Sequence, residues 1–154
     1  MSNELNWVET ETSTYQHHVI HHVLGATVLG WVVIEDALHI LLDIGLLWTI
    51  YVNAEMSLMA QHVAIQDLES DVLSSAEVAL LSSEAQRLIS EGREAEGLAR
   101  FVSAPVECTI TSVEVFAAGA QRRIVIAGEQ SQIAIETSVE RASFAIEAGG
   151  GHFE

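Results

Sequence analysis

Two groups of side chains in this 154-residue chain have types and spacings that could do chemistry. His17, His18, His21 and His22 form two overlapping i,i+4 pairs, His17 with His21 and His18 with His22. On a helix either pair sets two imidazoles one turn apart, where neutral ring nitrogens can chelate Zn, Ni or Cu. Glu35, Asp36, His39 and Asp43 lie inside an otherwise apolar run. Read helically, they fall within about 100° of one another and make a polar seam. Asp36-x-x-His39 then offers two ligands one turn apart, half of what a carboxylate-bridged di-metal bundle needs, and no Glu-x-x-His accompanies it. The metal candidates are therefore His18, His22, Asp36 and His39, with a divalent metal as the only cofactor suggested. The competing readings are a polar collar for the histidines and an assembly seam for the acids. His62 and His152 have no ligand spacing with the others, and the chain has no His-Glu-x-x-His, Gly-x-Ser-x-Gly, phosphate-loop, dinucleotide or Cys-x-x-Cys signature.

The elements that would carry these groups are read from caps and periodicity. Ser13-Thr14-Tyr15-Gln16 has the form of a capping box, so a helix starts near Thr14. From Val23 to Val52 the chain is almost wholly apolar, and no proline occurs before Pro105. Gly25, Gly30 and Gly45 weaken a helix without needing to end it. One long hydrophobic helix over 13–62 is the expectation, preceded by a flexible N-terminus over 1–12. Ser74-Ser75-Ala76-Glu77 and Ser83-Glu84-Ala85-Gln86 are two further capping boxes, predicting short amphipathic helices over 63–104 with breaks near Ser82 and Gly92.

Residues 105–148 are rich in Val, Ile and Thr and fit either a long amphipathic helix or a β-meander with turns near Gly119 and Gly128. Val106, Ile110, Val113, Ala117, Ala120, Ile124, Ser131, Ile135, Val139, Ala142 and Ile146 share one helical stripe, Pro105 suits a first helical turn, and Gly149-Gly150-Gly151 suits a stop before a tail over 149–154. The helix is preferred. Val115, Val125, Ile126 and Ile133, which it would expose, speak for strands. The expected fold class is mainly α, with an α+β arrangement as the alternative.

Composition bounds the rest. There are 22 acidic residues against six basic ones, all arginine, for a formal charge of −16. Such a surface repels nucleic acid and anionic headgroups. Eighteen glutamates without a lysine suggest a halophilic source, where carboxylates keep a surface hydrated in concentrated salt. The lone Cys108 has no internal disulfide partner and reads as a small buried hydrophobe. Three glutamates and no basic residue over 1–11 argue against a cleaved secretory signal.

If 23–52 is a membrane span, its three acids cost about 8–10 kcal/mol, which its aliphatic and aromatic residues roughly offset. From Trp31 to Tyr51 a helix would reach about 30 Å, one bilayer core. The expected localisation is a membrane or membrane-associated assembly, with a cytoplasmic soluble oligomer as the alternative. The expected function is non-enzymatic: a structural or assembly protein forming a helical homo-oligomer, or a membrane-associated scaffold, envelope or coat subunit. Its partner would be a second copy or other subunits of a membrane complex. The rival is a small metal-binding or proton-relaying subunit of a membrane redox or transport complex.

Overall fold

Ser13 caps a helix as its motif predicts: its hydroxyl accepts from the Gln16 N–H, and the Gln16 side chain accepts from the Ser13 N–H. That helix, α1 (Thr14–Val23), has ten residues and then stops. Leu24 leaves helical geometry and Gly25 takes a positive φ of 89°. The computed structural model describes residues 7–10, 12–68 and 73–150; the remainder of the N-terminal 1–12 segment and residues 151–154 of the expected tail lie outside them.

The run read as a long hydrophobic helix is instead an antiparallel meander of four strands, β2 (Val28–Ile34), β3 (Ala37–Leu42), β4 (Leu46–Tyr51) and β5 (Met56–Ala60). Every residue of β3 is buried, because one face of this sheet meets helices and the other meets a second sheet. A strand buried on both faces reads as a continuous apolar run rather than an alternation. The charged residues inside the run are its turns: Glu35-Asp36 joins β2 to β3 with Glu35 at a φ of 56°, and Asp43-Ile44-Gly45 joins β3 to β4 with Gly45 at 77°.

Two helices follow, α2 (Gln61–Asp67) and α3 (Ser75–Glu91), then one 3-10 turn over Gly92–Glu94. Ser74 and Glu77 form the reciprocal cap expected of their motif, and Gly92 ends α3 with a φ of 79°. No break occurs near Ser82, since α3 is continuous and Ser83-Glu84-Ala85-Gln86 lies within it. Leu81, Ala85 and Leu88 of α3 and Ile65 of α2 pack on Leu29, Val32, Leu41 and Leu47 of the sheet. The short β6 (Val102–Ser103) pairs with β2 at the sheet edge. Gly30 permits this approach, because a Cβ there would lie 2.5 Å from the Val102 carbonyl oxygen.

Residues 112–150 form the antiparallel strands β7 (Ser112–Ala118), β8 (Gln121–Ala127), β9 (Ser131–Ser138) and β10 (Ser143–Gly150), not the preferred helix. Val115, Ile126 and Ile133, which a helix would have exposed, are 3%, 0% and 1% exposed. Gly149 and Gly150 belong to β10 rather than to a stop. The N-terminal β1 (Val8–Glu9) pairs with β7, completing a sheet of order β1-β7-β8-β9-β10 beside the first, of order β5-β4-β3-β2-β6. Trp48, Leu38, Ile40 and Leu42 of the first sheet meet Ile124, Ile126, Ile133 and Ile135 of the second, and Val19 and Val23 of α1 join that core.

The mainly α expectation is thus overturned: strands take 43% of the described residues and helices 27%. The alpha-helical and transmembrane-helix descriptions fall with it. Among the described residues no helix is long and apolar enough to cross a membrane.

Candidate functional site

Strand register decides what becomes of the polar seam. His39 and Thr49 are directly opposed on β3 and β4, on the face turned toward the helices, and His39 Nδ1 lies 2.9 Å from Thr49 Oγ1. His39 is 5% exposed, and its desolvation lowers its pKa to about 4. It is therefore a neutral imidazole at neutral pH, able to accept or share a hydrogen bond but not to store a proton. A small cavity of about 160 Å³ beside it is bordered by Glu35, Asp36 and Tyr51, with Leu68 and Leu73 as its apolar wall.

Three of the four seam residues thus share a cavity, by a route unrelated to helical spacing. Asp43 does not join them. It sits at the opposite end of β3, where its carboxylate accepts the Thr27 N–H at 3.0 Å and its own N–H donates to the Thr27 carbonyl. Among the described residues no three His, Cys, Asp or Glu side chains come together as a metal shell; Asp36 and His39 are neighbours of one cavity.

The histidine cluster does lie on a helix. His17, His18, His21 and His22 are all exposed on α1, whose other side buries Gln16, Val19 and Val23. The His18 and His22 rings meet edge to face, with centroids 4.5 Å apart, and the His21 ring lies 6.2 Å from that of His22. The Gln16 side-chain amide donates to the Ala54 carbonyl in the β4–β5 turn and fixes the helix on the sheet. His17 faces a different space, an open cavity of about 720 Å³ between α1 and β7, walled by Ile20, Leu24, Val113 and Val115 and edged by Glu9, Glu114, Thr10 and Thr111.

Two features were missed in the sequence. Glu84 lies on the buried side of α3, 4% exposed, and its carboxylate accepts the backbone N–H groups of Ala99, Arg100 and Phe101. Desolvation opposes its ionisation, but the three hydrogen bonds together outweigh it and hold its pKa below the usual carboxylate value. The available signal was a glutamate amid Leu81, Ala85 and Leu88 on an apolar stripe, which demands a partner.

The second missed feature is the free edge of β10. The β8–β9 ladder is bounded by the Gly128 N–H bond to the Ser131 carbonyl and the Val139 N–H bond to the Ala120 carbonyl, so odd-numbered residues of β9 face β8 and even-numbered ones face β10. Through the β9–β10 register, Ser143, Ala145, Glu147 and Gly149 face β9, leaving Phe144, Ile146 and Ala148 with N–H and C=O groups turned outward. Among the described residues β10 has one strand neighbour, β9, and carries one charge, Glu147.

Comparison with protein-family models, with curated proteins and with solved structures gave no match.

Proposed function

We propose that this is a non-enzymatic assembly protein of a salt-rich milieu that associates with a second copy of itself through the outer edge of β10. The observation that carries the reading is an eight-residue edge strand with a single charge on a chain of formal charge −16. Edge strands that stay solitary are commonly short, charged, kinked or covered. Among the described residues β10 carries the one charge of Glu147 and is not short, whereas β1 and β6 are two residues each and β5 packs against α1 and α2.

A second copy fits because the edge is self-complementary. Outward groups must face outward groups, so even-numbered residues pair with even-numbered ones across a two-fold axis. With the axis at Ile146, Phe144 meets Ala148 of the other copy and Ile146 meets itself, giving six backbone hydrogen bonds and one apolar seam. The two Glu147 carboxylates are then offset diagonally rather than opposed. Concentrated salt shortens the screening length to about 3 Å at 1 M, suppressing repulsion between two acidic protomers. Nucleic acid is disfavoured as a partner by the same charge.

Light scattering in concentrated salt tests the proposal, with about twice the 16.7 kDa protomer mass expected. Ala148→Pro removes an outward N–H without touching the β9 ladder, so it should yield a folded monomer or a much weaker dimer. A monomeric parent, or a dimer indifferent to this change, would refute the proposal.

A further inference from the structure

The exposed face of α1 is not used by the β10 edge, and we infer that His18 and His22 hold one divalent transition-metal ion between them. An ion bound by one nitrogen from each ring at 2.0–2.1 Å needs those nitrogens about 3.3 Å apart. Rings whose centroids are 4.5 Å apart reach that separation by small rotations, and both rings are exposed enough to make them. The backbone under them is held, because Val19 and Val23 are 1% and 0% exposed, Gln16 is bonded to the β4–β5 turn, and Ser13 caps the first turn. Ordering the pair therefore requires little beyond side-chain rotation.

The ligand set selects the ion. Two neutral imidazoles favour Cu2+, Ni2+ or Zn2+, whereas Mg2+ and Ca2+ require oxygen donors. The acidic surface raises the local concentration of every cation, but concentrated salt confines that field to a few ångströms, so selectivity rests on the bonds to nitrogen. Among the described residues no third His, Cys, Asp or Glu completes a shell. The remaining positions go to water or an external ligand, making the site open and exchangeable rather than structural.

The test is isothermal titration of chelator-stripped full-length protein in concentrated salt with ZnCl2, NiCl2 and MgCl2, on the parent chain and on His18→Gln, His22→Gln and His17→Gln. The expected result is one Zn2+ or Ni2+ per chain and no Mg2+ binding. His18→Gln and His22→Gln should each weaken binding by about tenfold or more, since losing one of two direct ligands exceeds the loss of an outer-shell partner, while His17→Gln leaves it unchanged. Absence of Zn2+ and Ni2+ binding, equal binding of Mg2+, or equal sensitivity to His17→Gln would each overturn the assignment. All three positions are exposed, so the variants fold, and a metal-induced rise in melting temperature that vanishes in His18→Gln gives an independent readout.

Discussion

Replacing Glu84 by glutamine removes one charge and almost no volume, and the structure sets what that should do. One carboxylate oxygen, Oε1, accepts from Arg100 at 3.0 Å and Phe101 at 2.9 Å, while Oε2 accepts from Ala99. The glutamine carbonyl can serve the first two donors. Its NH2 group must then face the Ala99 N–H, donor against donor. The loss is one charge-assisted hydrogen bond, weakening of two others, and a buried donor left without an acceptor, about 2–4 kcal/mol together. For a chain of this length that lowers the melting temperature by roughly 5–15 °C. Glu84→Ala orphans all three donors and should cost more.

Thermal unfolding followed by circular dichroism, at one fixed high salt concentration and pH 7, measures the difference directly. Its pH dependence supplies an internal check. The folded-state pKa of Glu84 is depressed, so its stabilisation is complete above the ordinary carboxyl range and is lost as pH falls through the folded value. The gap between the parent and Glu84→Gln should therefore be widest near neutrality and narrow in acid. A melting temperature within 2 °C of the parent at pH 7 (the shift expected from about 0.5–1 kcal/mol), or a gap that widens in acid, would refute this role of the Glu84 carboxylate.

His39, neutral in the fold until pH falls to about 4, adds a second loss of stability in acid, of the same sign as that of Glu84 but starting at higher pH: between about 6.5 and 4 the unfolded chain takes up its proton first, so stability should fall by roughly 3 kcal/mol across that window and level off below it. Denaturant titrations at stepped pH read this, and His39→Gln should flatten the window; an unchanged profile would remove the role given to burial. Gly30→Ala places a methyl against the Val102 carbonyl and should cost about 1–3 kcal/mol, read as a lower denaturation midpoint with faster amide exchange at Val102 and Ser103; a neutral result would mean β6 shifts freely. Ala148→Pro deletes two of the six bonds across the proposed two-fold, about 2 kcal/mol, so the dimer should dissociate at roughly thirtyfold higher concentration by analytical ultracentrifugation.

What could be read from the sequence was mostly local. The two capping boxes at Ser13 and Ser74 start real helices because a reciprocal side-chain cap involves only four consecutive residues. The third such motif, at Ser83, starts no helix because it lies inside α3, whose buried stripe of Leu81, Ala85 and Leu88 runs straight through it. The apolar run was misassigned because burial on both faces erases the period-two signal, and periodicity alone cannot separate a doubly buried strand from a buried helix. Its turns lie at Glu35-Asp36 and at Asp43 to Gly45, and their charged residues mimic a polar seam on a helical projection. Over 112–150 some inward residues of successive strands, Val113, Ile124, Ile135 and Ile146, fall on one helical stripe, while Val115, Ile126 and Ile133, which a helix would expose, are equally inward and carry the correct information. The grouping of His39 with Glu35, Asp36 and Tyr51 depends on strand pairing, which no single segment encodes.

The pairing of β1 with β7 has a consequence for how the protein is made. Thr10 donates both its N–H and its hydroxyl to the Val115 carbonyl, a contact separated by 105 residues. On a ribosome adding about 5–20 residues per second, the β1 segment emerges roughly 5–20 s before the strand that will receive it. α1 and the β2–β5 meander, whose partners are near in sequence, can assemble in that interval. β1 then acts as a latch closed only once the C-terminal sheet exists, and a nascent chain halted before β7 would keep that edge open to whatever strand it meets.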